Sequence, residues 1–175
     1  MAKRSILILD CTRNFEPSEG RLLKEFFKIC QLHKPVKATS LYYNIKSKKD
    51  FLKKLNTGKR YNIIHISAHG ADEGEVGLSN GSTWIARPEE IEETNHKAKL
   101  VHASACSANR GLLANAFKGA KYFLAPQTEI DPVDAAIFSL IFYKRYIIDG
   151  MSMRRSFEYA RKRTQTCEDY PNYWL

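Results

Sequence analysis

The stretch YNIIHISAHG, Tyr61 to Gly70, is an apolar run interrupted by two histidines and closed by a small-residue turn. A short apolar run without sustained polar alternation reads as a strand covered on both faces, as in a parallel sheet. KLVHASACSANRG, Lys99 to Gly111, has the same form and brings its strand to an end at Ala105-Cys106. If these two strands are parallel neighbours, their carboxyl ends lie side by side, and the imidazole of His69 and the thiol of Cys106 project into one crevice.

The surrounding segments supply the rest of such a sheet. SILILD, Ser5 to Asp10, is a continuous apolar run and reads as the first strand. GRLLKEFFKICQLHK places Leu22, Leu23, Phe26, Phe27 and Ile29 or Cys30 on one side at helical period. VKATSLYYNI is rich in β-branched and aromatic residues and reads as a strand, followed by a short helix across KKDFLKKLN that Gly58 terminates. In VGLSNGSTWIA, Asn80-Gly81 lies between two short alternating pieces and predicts a small projecting hairpin. Pro88 and the acids after it suit a helix start. RGLLANAFKGA is a helix stopped by Gly119, and KYFLAPQ is the fifth strand. DPVDAAIFSLIFYKRYIIDG opens with Asp131 at the N-cap and Pro132 at N1 and runs apolar through Ile137, Phe138, Ile141, Phe142 and Ile148. A last helix begins near Ser152. Strands alternate with helices, which predicts a three-layer α/β/α sandwich with a mostly parallel central sheet and a small β-hairpin insertion. Ligands collect at the carboxyl ends of the strands in such sheets.

Length and composition agree. The 175 residues suit a single domain spanning 1–175, and 43% hydrophobic with 27% charged residues supplies a core without the signature of disorder. No segment approaches the roughly 20 apolar residues of a membrane span, and the N-terminal apolar run is too short for a secretory signal. A cytoplasmic protein is expected, with no membrane partner. Cys11, Cys30, Cys106 and Cys167 lie far apart with no metal-like cluster, so they read as reduced thiols. The net charge of +9 invites a nucleic-acid reading, but the basic residues are scattered over helix-like segments, and solvated helix faces explain them better. Nucleic acid is therefore not the expected partner.

The chemistry rests on the crevice. Only a thiolate attacks, and neutral solution holds a few per cent of it, so Cys106 needs a base. His69 can take the proton and return it to a leaving amine. Gly70 lets backbone approach a substrate, and its N–H together with that of Cys106 can bind a developing oxyanion. His65 and His102, further back in the two strands, read as core or supporting histidines. Cys11 follows a strand end too, but lacks a partnered His-Gly.

An apolar strand ending in His-Gly and a later one ending in Ala-Cys resemble the caspase-like (clan CD) cysteine peptidases. HISAHG, LVHASACSANRG and DPVDAAIFSLIFYKRYIIDGMSMRRSFEYA are most similar to the bacterial CHAT branch, which is related to separase. The resemblance covers the chain from the third strand onward closely, and the first 60 residues by element order. It implies a cysteine endopeptidase with Cys106 as nucleophile, His69 as general base or acid and Gly70 in the oxyanion hole. The dyad is expected to suffice without a third orienting acid, with no metal or other cofactor. The pocket for the P1 side chain is expected at the ends of strands one, four and five, which makes Asp10, Ser104, Glu129 and Asp131 the substrate-binding candidates.

Metacaspase-like relatives carry an acid two positions before the cysteine, where this chain has Ser104. Cleavage after Lys or Arg remains the expectation, because Asp10, Glu129 and Asp131 offer carboxylates. Arg13 is the contrary candidate, suited to an acidic P1 residue. Asp131 serves equally as a helix cap. The partners implied are a protein or peptide substrate and a regulatory protein or activating ligand, in the setting of bacterial immunity or cell death. The rival is a catalytically idle caspase-like module that binds a partner or peptide through the same crevice.

Overall fold

The computed structural model describes residues 4–32, 38–70, 76–108 and 111–170. Five parallel strands form the central sheet in the order β2, β1, β3, β7, β8: β1 (Arg4–Asp10), β2 (Ala38–Asn44), β3 (Arg60–Ser67), β7 (Lys97–Ser104) and β8 (Ala120–Leu124). Ile6, Leu7, Ile8 and Leu9 of β1 are all fully buried, as a strand covered on both faces requires.

Helices cover each face. On one, α1 (Glu19–Leu32), α5 (Pro132–Tyr143) and α6 (Met153–Arg163) pack Leu23, Phe27, Phe138, Phe142 and Phe157 against Ile6, Ile8, Ile63 and Leu100. On the other, α2 (Lys48–Leu55), α3 (Pro88–Glu92) and α4 (Gly111–Ala116) pack Phe51, Leu55, Ile91 and Leu113 against Leu7, Leu9, Ile64 and Val101. The expected three-layer sandwich with a mostly parallel sheet is the observed one. Among the described residues, no helix is long and apolar enough to cross a membrane.

Local chemistry sets the helix ends. Ser47, Asp131 and Ser152 cap α2, α5 and α6 by accepting backbone N–H bonds, and Pro132 and Pro88 occupy first-turn positions where a missing N–H costs nothing. Helix α5 continues into a π-turn over Lys144–Ile148.

Three readings change. The strand expected to run through His69 stops at Ser67. His69–Gly70 form a separate short strand, β4, which pairs antiparallel with β5 (Leu78–Ser79), itself paired with β6 (Ile85–Ala86). The hairpin is thus the partner of the His-Gly segment, not a projection. Its loop is also longer than the two residues Asn80-Gly81, because the Asn80 carboxamide accepts from the N–H groups of Ser82, Thr83 and Trp84 and wraps the chain around itself. Trp84 then stacks on Phe51, ring centroids 5.7 Å apart. Finally, Ile137 points outward, 42% exposed, since α5 faces the sheet through Phe138, Phe142 and Tyr143. Of the aromatic tail, Tyr170 is buried and stacks on Phe138 at 4.1 Å, and residues 171–175 lie outside the described residues.

His65 and His102 face α5 from neighbouring strands in register, edge to face at 4.9 Å. The Tyr143 hydroxyl lies 2.9 Å from Nδ1 of His65 and 3.1 Å from Nδ1 of His102. Burial lowers the His65 pKa to about 3, and burial followed by the charge of His65 lowers that of His102 well below its ordinary value. Both rings are neutral at physiological pH. We predict that Tyr143→Phe, which strands two buried ring nitrogens without a partner, costs on the order of 2–4 kcal/mol in urea unfolding; a loss below about 0.5 kcal/mol contradicts this bridging role.

Candidate active site

Three strand ends lie in one row. Asp10 of β1 pairs in register with Ser67 of β3, and Ser67 with Ser104 of β7. Beyond this row the chain turns out of the sheet on β3 and β7 together, with the Ala68 N–H donating to the Ser104 carbonyl at 3.1 Å. The next residues converge: a Cβ built on Gly70 lies 2.1 Å from the carbonyl oxygen of Cys106. Only a residue without a side chain fits, so His69-Gly70 and Cys106 occupy adjoining positions on one surface.

Cys106 is partly exposed, and its Sγ lies 3.8 Å from the Ile130 carbonyl oxygen. Ser107 has φ of 53°, a left-handed conformation uncommon for a residue with a Cβ, and its N–H donates to Thr128 at 3.0 Å. This bend turns the chain sharply after Cys106. No described residue accepts from the Cys106 N–H. The segment Thr128 to Ile130 runs alongside and brings Glu129, exposed and without an ion-pair partner among the described residues, to the rim.

The His69 side chain is 45% exposed, and its Nε2 lies 3.2 Å from Oε2 of Glu16. Gly81 covers one side of the ring: a Cβ there falls 2.9 Å from the imidazole Cδ2. Burial works to raise the Glu16 carboxyl, but hydrogen bonds from the Arg13 side chain and backbone and from His69 outweigh it and bring it to about 2. An ionised carboxylate only accepts, so Nε2 carries hydrogen and Nδ1 is the nitrogen open to exchange a proton with a thiol. Glu16 thus holds one nitrogen of the His69 ring, a partner that the sequence reading did not single out.

The loop that carries Glu16 is anchored by Asp10. That carboxylate is fully buried and accepts from Thr12 N–H, the Thr12 hydroxyl, the Ser18 hydroxyl and the Tyr42 hydroxyl. Its placement is that of a loop anchor facing inward, not of a group presented to a ligand. Arg13 is bound to Glu16 through its Nε at 2.6 Å, so the cation considered for an acidic P1 residue already has a carboxylate. Asp131 accepts from Val133 and Asp134 N–H as the N-cap of α5. Ser104 is buried at the end of β7. Cys11 is buried, and burial, with Asp10 and Asp50 adding to it, holds its thiol well above the ordinary range.

A second acid was not singled out in the sequence. Glu19, the first residue of α1, has a side chain only 9% exposed, and its Oε1 lies 3.7 Å from His65 Nε2, too far for a hydrogen bond. Burial raises its carboxyl to about 7, against the nearby hydroxyls of Ser104 and Ser139, with Asp10 adding to the rise. Both acids lie in a segment that reads only as a polar loop and helix start; which imidazole each would meet is set by the sheet.

Neither a family model nor a curated protein sequence matches this chain. Solved structures do. The Arg-specific cysteine proteinase gingipain R superposes with a TM-score of 0.60 at 12% identity, over 97% of this chain and 45% of that one. Saccharomyces cerevisiae separase, in its complex with securin, superposes with a TM-score of 0.56 at 16% identity, over 91% of this chain and 10% of that one. The fold is therefore caspase-like, and the chain spans less than half the length of either neighbour.

Two outcomes follow from the geometry. Gly70→Ala drives a Cβ into backbone and lowers stability by more than about 2 kcal/mol in chemical denaturation; a neutral result removes the contact between residue 70 and Cys106. For Glu19, the native carboxyl keeps its proton up to about 7 while the ordinary value is 4.5, so the folded state binds more protons between them and loses stability as pH rises through that window. Glu19→Gln cannot ionise. Its stability relative to the native protein should climb from pH 4.5 to 7 and level off above, by on the order of 2–3 kcal/mol.

Proposed function

We propose that this chain is a cysteine endopeptidase that hydrolyses peptide bonds through a thioester on Cys106. The observation that carries the reading is the convergence of Gly70 on the Cys106 carbonyl, which supports a shared site for the exposed His69 that precedes Gly70 and the partly exposed thiol of Cys106. Proton transfer from Sγ to His69 Nδ1 generates the nucleophile, and Glu16 stabilises the imidazolium that forms. The thiolate adds to the scissile carbonyl, whose oxyanion is held by the backbone N–H groups of Cys106 and Gly70. His69 then protonates the leaving amine, and water releases the acid product by the reverse path. The likeness in fold to two cysteine proteinases supports this assignment.

Cleavage after a basic residue fits the acids around the crevice. Glu129 lies at the rim and Glu19 beneath it, Arg13 is neutralised by Glu16, and one neighbour is described as Arg-specific. The CHAT-like motifs, together with a neighbour solved with securin, support the reading of a regulated enzyme, held by a partner or ligand, of the kind found among switched bacterial effectors.

The test is a fluorogenic peptide library with basic and acidic P1 sets. Cys106→Ala and His69→Ala should each abolish turnover, by more than about 1000-fold, and prevent covalent capture by a peptidyl acyloxymethyl ketone. Glu16→Gln should lower kcat about 10- to 100-fold with KM little changed, since Glu16 orients His69 without touching substrate. Turnover that survives Cys106→Ala rejects the nucleophile, and peptide binding without turnover leaves an idle recognition module.

A further inference from the structure

The loop between β1 and α1 carries Phe15, whose side chain is 79% exposed. Among the described residues it is the one exposed aromatic. A single apolar residue in water is ordinary on a protein surface. The loop that holds this one is not ordinary, because it is braced from several directions. The Arg13 N–H and Nε donate to the Glu16 carboxylate at 2.9 and 2.6 Å, and the Glu16 N–H donates to the Arg13 carbonyl at 3.0 Å. The Arg21 guanidinium donates to the carbonyls of Asn14 and Glu16, and Lys46 donates to the Asn14 side chain. Asp10 holds Thr12 and Ser18 at the two ends. The Arg13 guanidinium also lies over the Phe15 ring, 4.8 Å from its centroid, so the turn that fixes the backbone steadies the ring as well. An aromatic surface is thus held in water by a preorganised turn.

Its place relative to the site follows from the next residue. Glu16 meets Nε2 of His69 at 3.2 Å, whereas the nitrogen that exchanges protons with thiol and leaving amine is Nδ1. Glu16 and Phe15 therefore lie beyond the imidazole as seen from Cys106. The amine that His69 protonates belongs to the leaving segment, so that segment emerges from the scissile bond on the imidazole side, toward Phe15. An extended chain advances roughly 3.3–3.6 Å per residue, which brings the first two residues of the segment within range of a ring one position from Glu16. Charge chemistry narrows what they can be. The Arg13 cation already has the Glu16 carboxylate, and that carboxylate is shared between Arg13 and His69. What the loop offers a passing peptide is apolar surface.

We propose that Phe15 is a specificity-determining residue, and that it receives a large apolar side chain, leucine or phenylalanine, from the first or second residue after the scissile bond. The inference rests on the peptidase reading, which sets the direction in which the substrate runs. Covering an exposed ring with such a side chain removes apolar area from water on both partners, and the braced loop loses little freedom in the process. Glycine at the same position covers nothing, and glutamate would lose hydration without gaining a free cation.

The experiment uses octapeptides with one arginine, followed at the first or second position by leucine, phenylalanine, glycine or glutamate. Cleavage is read as kcat/KM on internally quenched forms, and binding as Kd of fluorescein-labelled forms on Cys106→Ala protein. The readout is the ratio of leucine to glycine within each protein, so a general loss of activity or of folded protein cancels. That ratio should be about 10 at one of the two positions, with glutamate no better than glycine. Phe15→Ala should bring it below about 2, in cleavage and, with Cys106→Ala, in binding, and Phe15→Leu should keep most of it. A ratio that survives Phe15→Ala, a preference for glutamate, or indifference at both positions overturns the proposal. Cleavage without an apolar preference overturns this inference and leaves the peptidase standing. Binding with a preference that Phe15→Ala removes, and no cleavage by the native protein, keeps the contact and rejects the peptidase. Neither cleavage nor preference overturns both.

Discussion

The contact between the backbone at Gly70 and the carbonyl of Cys106 is the constraint on which the rest of the site depends. It joins the main parallel sheet to the small antiparallel one, since Cys106 follows the end of β7 while Gly70 belongs to β4. Any side chain at 70 would push the two backbone segments apart. The hairpin that pairs with β4 works toward the same end, because Gly81 lies against the His69 ring and Asn80 holds the loop shape that brings it there. The imidazole is thus positioned by backbone on one side and by a carboxylate on the other.

Two glutamates three residues apart show how strongly burial decides the state of an acid. Glu16 keeps some solvent contact and has Arg13 and His69 beside it, and it is ionised far below neutrality. Glu19 is enclosed among hydroxyls and neutral imidazoles, and it holds its proton to about 7. Ionisation of the first is favoured by the cation and hydrogen-bond donors beside it, and ionisation of the second is opposed by burial. Asp10, the acid nearest to both in sequence, does neither; it ties down the loop that carries them.

The layers of the sandwich and most element ends were legible in the sequence. Continuous apolar runs such as SILILD are what a strand buried on both faces needs, and Asp131-Pro132 and Ser152 are helix starts for reasons local to the chain. The strand ends were less so. An apolar pattern does not reveal that β3 stops at Ser67 and that His69 changes sheets, because that turn is set by what β7 does at Ser104. The Asn80-Gly81 pair correctly marks a hairpin, but the loop length follows from side-chain bonds made by Asn80.

The sequence by itself determined the alternation of strands and helices and the parallel sheet they imply, because these are written in periodicity and local capping. Only the tertiary structure decided which acids matter. Glu16 meets His69 and Glu19 meets His65 across separations of tens of residues, so their roles depend on strand order and on how α1 lies over the sheet. Electrostatic partnership is a property of distance in space, and no local pattern encodes it.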